Sequence, residues 1–196
     1  DMYEKTPDTI RVVKPMTHGV VSDFTATKHI LRSFLSKICK TMVFKPNVVV
    51  CVPSMVTSLE KRTILDLITS AGAAKACLIE EPLAAAIGTG LRVGGTHGNM
   101  IVDIGGGTTE VAVISLGGIV ASSALREAGD DFDEAIISYL RRRRGILIGG
   151  STAEQLKIRI GSAHPSCDAG EMDIAGRSLD SGLGALAKVY SAEIRE

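Results

Sequence analysis

The stretch IVDIGGGTTEVAVI, residues 101–114, sets three glycines between two apolar runs, with Asp103 before them and Thr108 and Thr109 after. It reads as strand, turn, strand. A chain turning through Gly105, Gly106 and Gly107 aims several backbone N–H groups into one concavity, and the absence of side chains lets an anion approach them closely. Thr108 and Thr109 add hydroxyl donors. Asp103, at the strand end, is a hard oxygen ligand for a metal ion or for metal-bound water. The pattern is not a P-loop, because no Gly-Lys-Ser/Thr follows. Nor is it a dinucleotide fingerprint, because a strand rather than a helix follows the glycines. The competing reading of the same residues is a plain glycine-rich hairpin.

Working outward, Gly117-Gly118 between two β-rich runs predicts a hairpin leading into a third strand over IVASSALRE. Upstream, NVVVCVP (Asn47–Pro53) is a continuous β-branched run ended by proline, which predicts a strand buried on both faces. A helix is expected from near Ser58 with Gly72 as its stop. A short strand over KACLIEEP follows, and Pro82 opens the small-residue helix LAAAIGTG. Ile30, Leu31, Phe34, Leu35 and Ile38 recur at helical spacing, so Thr27–Lys40 is an expected amphipathic helix capped by Thr25 or Thr27. Asp130–Arg144 carries an apolar stripe of Phe132, Ile136, Ile137 and Leu140. Thr152–Ser162 is a further helix with a capping box running from Ser151 to Glu154. Residues 168–191 suggest short strands and turns. Parallel strand–helix–strand units followed by an antiparallel hairpin predict an α/β fold with mixed sheets and flanking helices, in two lobes joined near Leu91–Gly98.

The composition is that of an ordinary globular chain: 196 residues, 45% hydrophobic and 22% charged. Twenty-two basic residues balance 22 acidic ones, so no global field draws the chain to nucleic acid or anionic lipid. The basic run Arg141–Arg144 reads as a solvated helix end. The four cysteines, Cys39, Cys51, Cys77 and Cys167, form no metal-binding spacing. Cys51 and Cys77 lie in apolar runs, as small buried hydrophobes do, and a reducing compartment is expected. No apolar run reaches the roughly 20 residues of a membrane span. Asp1 at the start and SAEIRE at the end both read as interior sequence.

Two further constellations carry chemistry. Glu80 and Glu81 stand at a strand-to-helix corner, where a carboxylate can orient water for attack on a phosphoryl group; the alternative is an acid pair favoured by the helix dipole. In REAGDDFDEAI, Gly129 precedes an acid-rich helix start. Asp130, Asp131 and Asp133 would repel phosphate there, which favours a neutral sugar or base, or a capping role.

The order DIGGGTTEVAVISLGG, GDDFDEAI, TAEQLKIRIGSA resembles the bacterial actin homologue MreB and its paralogues, within the actin-like ATPases. RVVKPMTHGVVSDF, FKPNVVVCVPS and LIEEPLAAAIG extend the likeness over nearly the whole chain. The resemblance implies an actin-like ATPase (ribonuclease H-like) fold, incomplete at both ends. Residues 1–97 would be part of the first lobe, 98–148 the start of the second with the phosphate-binding hairpin, and 149–196 a small outer subdomain. It implies ATP and Mg²⁺ as ligands. Asp103 would contact the metal through water, and Gly105, Gly106, Gly107, Thr108 and Thr109 would hold phosphates. Glu81 and Thr108 would be the catalytic residues. Gly129, Asp130, Glu154 and Lys157 would face the nucleoside. Implied too are homopolymer filaments, a cytoplasmic location peripheral to the inner face of the membrane, and cell-wall synthesis proteins as partners. MVFKP matches the stretch in which some relatives dip an apolar loop into lipid, here through Val43 and Phe44 beside Met42; the other reading makes these core residues.

Departures from the family pattern are specific. Glu127-Ala128-Gly129-Asp130 stands where the family reads Ile-Gly-Gly-Asp, and Met55 and Val56 replace small or polar residues. No Asp-Leu-Gly-Thr loop occurs near the start and no second glycine-rich nucleoside loop near the end. The missing elements and Glu127 support an alternative reading: a degenerate actin-like module without turnover, serving as an interaction or filament-capping partner. A sugar kinase or chaperone-type ATPase fits less well, since no substrate-binding polar set stands in the first lobe.

Overall fold

The computed structural model describes residues 12–17, 19–39, 45–168 and 170–195. The backbone forms two compact units, Asp1–Ala128 and Gly129–Glu196.

In the first unit a two-residue pair, β1 (Met16–Thr17) and β2 (Val20–Val21), precedes α1 (Phe24–Ile38). The helix starts a turn earlier than the apolar spacing predicts. Asp23, in extended backbone, caps it by accepting the Ala26 N–H at 2.9 Å. Thr27 is therefore buried inside the helix, its hydroxyl donating to the Asp23 carbonyl at 2.7 Å. A carboxylate closing the first turn displaces both threonines as cap.

Strand β3 (Asn47–Val52), helix α2 (Ser58–Ala71) and strand β4 (Lys75–Glu80) form the expected parallel unit, with Val49 opposite Cys77 and Cys51 opposite Ile79. Helix α2 has a full capping box: Thr57 and Glu60 satisfy each other's backbone N–H groups, and Gly72 ends the helix at φ 125°. Strand β3 is not buried on both faces. Val49 is 67% exposed, and Cys51 and Cys77 are exposed beside it rather than buried. Among the described residues β3 pairs only with β4, and this face of the two-stranded sheet stays open.

Helix α3 (Glu81–Gly88) follows β4 without a loop, with Pro82 in its first turn. Then β5 (Asn99–Ile104), β6 (Thr109–Ser115) and β7 (Gly118–Leu125) make an antiparallel meander, so parallel and antiparallel ladders lie in separate sheets among the described residues. The β6–β7 loop is Leu116-Gly117, with φ 52° and 79°, and Gly118 already pairs with Ser115. Two consecutive left-handed residues are what a two-residue hairpin requires, so the glycine pair serves one residue earlier than its sequence position suggests.

The second unit holds α4 (Gly129–Arg144), β8 (Ile146–Leu147), α5 (Gly150–Ile160), a 3₁₀ turn at Pro165–Cys167, β9 (Glu171–Ser178), β10 (Gly184–Tyr190) and α6 (Ser191–Ile194). Its core joins Ile136 and Leu140 of α4, Ile146 and Ile148, Leu156 and Ile160 of α5, and Ile174 and Val189 of the long hairpin. Phe132, expected in the α4 stripe, is half exposed instead. Helix α5 has no capping box from Ser151 to Glu154. Gly149 is its N-cap without a side-chain hydrogen bond, which places Ser151 within the first turn. The weakly patterned 168–191 region holds β9 and β10, paired over seven residues of each strand. Arg141–Arg144 are exposed, and Arg144 pairs with Glu193 at 2.5 Å.

Candidate functional site

The glycine turn closes the β5–β6 ladder. Asp103 stands opposite Glu110 and Ile104 opposite Thr109, after which the Gly105 N–H donates to the Thr108 carbonyl at 2.9 Å. Gly106 and Gly107 form the tip. A Cβ on Gly105 would sit 3.3 Å from the Thr108 carbonyl oxygen, closer than most such contacts, so a side chain there would push the two arms apart by a few tenths of an ångström.

The two threonines have different duties. The Thr109 hydroxyl donates to the Glu127 carbonyl at 2.7 Å, which ties the chain after β7 to the start of β6. The Thr108 hydroxyl makes no hydrogen bond among the described residues and is available to a ligand. The two glutamates of the corner also separate. Glu80 lies 3.7 Å from Lys61, both partly exposed. Glu81, the first residue of α3, is half-buried. Burial, then the negative charges of Glu110 and Asp103, hold its carboxyl above the ordinary carboxylate range.

Glu81, Asp103 and Glu110 therefore share one electrostatic neighbourhood, and no basic side chain pairs with any of them among the described residues. Like charges directly opposite on neighbouring strands are unfavourable. Yet no group of three acidic, histidine or cysteine side chains among the described residues forms a cage for a metal ion. Asp103, the strand-end oxygen donor, would suit a hard cation that keeps its own water and takes further ligands from phosphate, as Mg²⁺ does.

In the second unit Gly129 and Asp130 open α4. The Lys157 ammonium of α5 donates to the Gly129 carbonyl at 2.8 Å and lies 2.9 and 3.0 Å from the two Asp133 oxygens. It thereby offsets part of the acidity of that helix start. Glu154, one turn before Lys157, is exposed. Glu127, the departure before this helix, points its side chain to solvent, while the small Ala128 fills a fully buried slot. Met42, Val43 and Phe44 lie outside the described residues. No helix among the described residues is long and apolar enough to cross a membrane.

Sequence reasoning missed Glu110 and Ser54. Glu110 is 1% exposed, and accepts the Ser54 N–H at 2.8 Å and the Ser54 hydroxyl at 3.3 Å. A signal was present: Glu110 is in phase with the buried Ala112 and Ile114, so strand alternation puts its carboxylate on the inward face.

A family model described as MreB/Mbl protein matches residues 1–196. The chain is 48% identical over 197 residues to the cell shape-determining protein MreB of Escherichia coli K12, covering all of this chain and 57% of that protein. The structure of MreB5 of Spiroplasma citri bound to ADP superimposes with a TM-score of 0.92 at 39% identity, covering 99% of this chain and 58% of that one. The same protein is known bound to AMPPNP. The MamK double helical filament, 21% identical with a TM-score of 0.71, covers 93% of this chain and 56% of its own and shares the fold. The chain thus spans a little under three fifths of the length of these relatives.

Proposed function

This chain belongs to the MreB/Mbl family and has the actin-like fold, and on that premise we propose that it is an ATP-binding cytoskeletal module that polymerises into membrane-associated filaments. The observation that carries the nucleotide reading is the half-buried Glu81 carboxyl, raised by burial and facing the charges of Glu110 and Asp103 beside the glycine turn. Support comes from MreB5, known with ADP and with AMPPNP, and from MamK, known as a filament.

In this reading the N–H groups of Gly105–Gly107 and the free Thr108 hydroxyl bind the terminal phosphates. Asp103 would hold Mg²⁺, which when bound would neutralise charge on the phosphates. Glu81 accepts a hydrogen bond from the attacking water, and its raised basicity favours that role. Thr109 acts through the backbone it anchors. In the second unit Gly129, Asp130, Glu154 and Lys157 are assigned to the nucleoside, with Lys157 setting the helix start. Residues 1–97 belong to the first lobe, 98–148 to the start of the second, and 149–196 to its outer part. Partners are further copies of the chain, the inner membrane face through Val43 and Phe44, and cell-wall synthesis proteins, in a cytoplasmic, membrane-peripheral setting.

The test is sedimentation and phosphate release. With ATP and Mg²⁺ the protein is expected to pellet as filaments, and Glu81→Ala to slow phosphate release about a hundredfold while leaving ATP affinity by calorimetry unchanged. Filaments without phosphate release, indifferent to Glu81→Ala, point to the module without turnover. The exposed position of Glu127 removes one sequence argument for that second reading. No heat on titrating ATP overturns the nucleotide assignment.

A further inference from the structure

Among the described residues Glu110 is the only charged side chain that is buried. A carboxylate taken out of water is costly unless hydrogen bonds replace its hydration. Among the described residues both hydrogen bonds to its carboxylate come from Ser54, the backbone N–H at 2.8 Å and the hydroxyl at 3.3 Å. Ser54 stands two residues beyond the end of β3, so the contact joins the corner after that strand to β6. Pro53, next to Ser54, lies close to Gly19. A Cβ on Gly19 would lie 2.8 Å from Pro53 Cγ and 3.6 Å from Thr108 Cγ2. Thr108 and Glu110 are two residues apart and line the same cavity of about 130 Å³, together with Gly19, Pro53 and Arg126.

We infer that Glu110 is a positioning residue: its hydrogen bonds to Ser54 clamp the Pro53–Ser54 corner against the strand that leads from the glycine turn, and so set where the Thr108 hydroxyl sits. The consequence for turnover rests on the ATPase reading above; the clamp itself does not. Geometry, rather than charge, makes the clamp. Both Ser54 groups act as donors to the carboxylate, and no cation pairs with Glu110 among the described residues. A glutamine in its place reproduces both contacts, its Oε1 accepting from the Ser54 N–H and its Nε2 donating to the Ser54 hydroxyl oxygen. An aspartate keeps the charge but is one methylene too short to reach.

Glu110→Gln and Glu110→Asp therefore separate the two explanations, and both substitutions are conservative enough to retain the fold. Amide hydrogen exchange is measured on the nucleotide-free protein at residues 54–56 and 105–109. Glu110→Asp is expected to speed exchange in both segments about tenfold, and Glu110→Gln to stay within about threefold of the parent. In ATP turnover Glu110→Asp should lower kcat with KM nearly unchanged, and Glu110→Gln should recover most of that loss, falling short of the parent only by the charge it withdraws from Glu81. The reverse order, with Glu110→Asp close to the parent and Glu110→Gln impaired, overturns the clamp in favour of charge. Faster exchange at 54–56 alone overturns the link to the phosphate turn. If the parent protein turns over no ATP, the ATPase reading fails while the exchange data still decide the clamp.

Discussion

At the residue scale, neighbouring side chains of one chemical type are given different work by what they touch. Glu80 turns to Lys61, while Glu81 is half-buried against Glu110 and Asp103. Because burial and the two like charges raise the folded-state pKa of Glu81, the folded protein binds its proton more tightly than the unfolded chain. Below the ordinary value of 4.5 both states hold that proton, and no stability is lost. As pH rises through the raised pKa the folded state must ionise against its surroundings, and stability falls. Glu81→Gln, which mimics the protonated form, is therefore expected to raise the thermal midpoint at pH 7. That gain should vanish below the ordinary value. Thermal melts of both proteins across the pH range check it, and an equal gain at every pH would sink the idea.

At the element scale, caps decide where helices begin. The Thr57–Glu60 box at α2 is complete, and Glu60 has its pKa lowered first by the Thr57 hydrogen bonds. Thr57→Ala should cost roughly 1 kcal/mol, read as a lower urea midpoint. Ser151, which has the same sequence signature three residues before Glu154, lies inside α5 and caps nothing. Ser151→Ala is accordingly expected to stay within about 0.5 kcal/mol of the parent in the same titration. The two motifs look alike as text. What separates them is that Gly149 and Gly150 carry the backbone into the α5 helix before Ser151 is reached.

At the scale of the whole molecule, each unit gathers its own apolar residues. In the second, α4, α5 and the β9–β10 hairpin meet around Leu140 and Leu156, both with no exposed surface. Leu156→Ala should destabilise the protein by about 2–5 kcal/mol, the range for deleting a fully buried leucine side chain, and chemical denaturation measures it. Gly176 of β9 shows how tight this packing is: a Cβ there would lie 2.5 Å from Ile146 Cγ2.

Local order was legible in the sequence. Strand, turn and strand around the three glycines, the β3–α2–β4 unit, the stop at Gly72 and the α4 helix all follow from short-range steric and periodic rules, which operate within a few residues. The family was legible for a related reason, since its motifs are contiguous. What only the tertiary structure decided were the pairings across long separations. It chose Asp23 over the threonines as cap, left one face of β3 open, and sorted Thr108 from Thr109 and Glu80 from Glu81. It also buried Glu110 against Ser54, a contact 56 residues apart. Burial and charge proximity are set by which elements pack together, and a string of residue types does not specify that distance by distance.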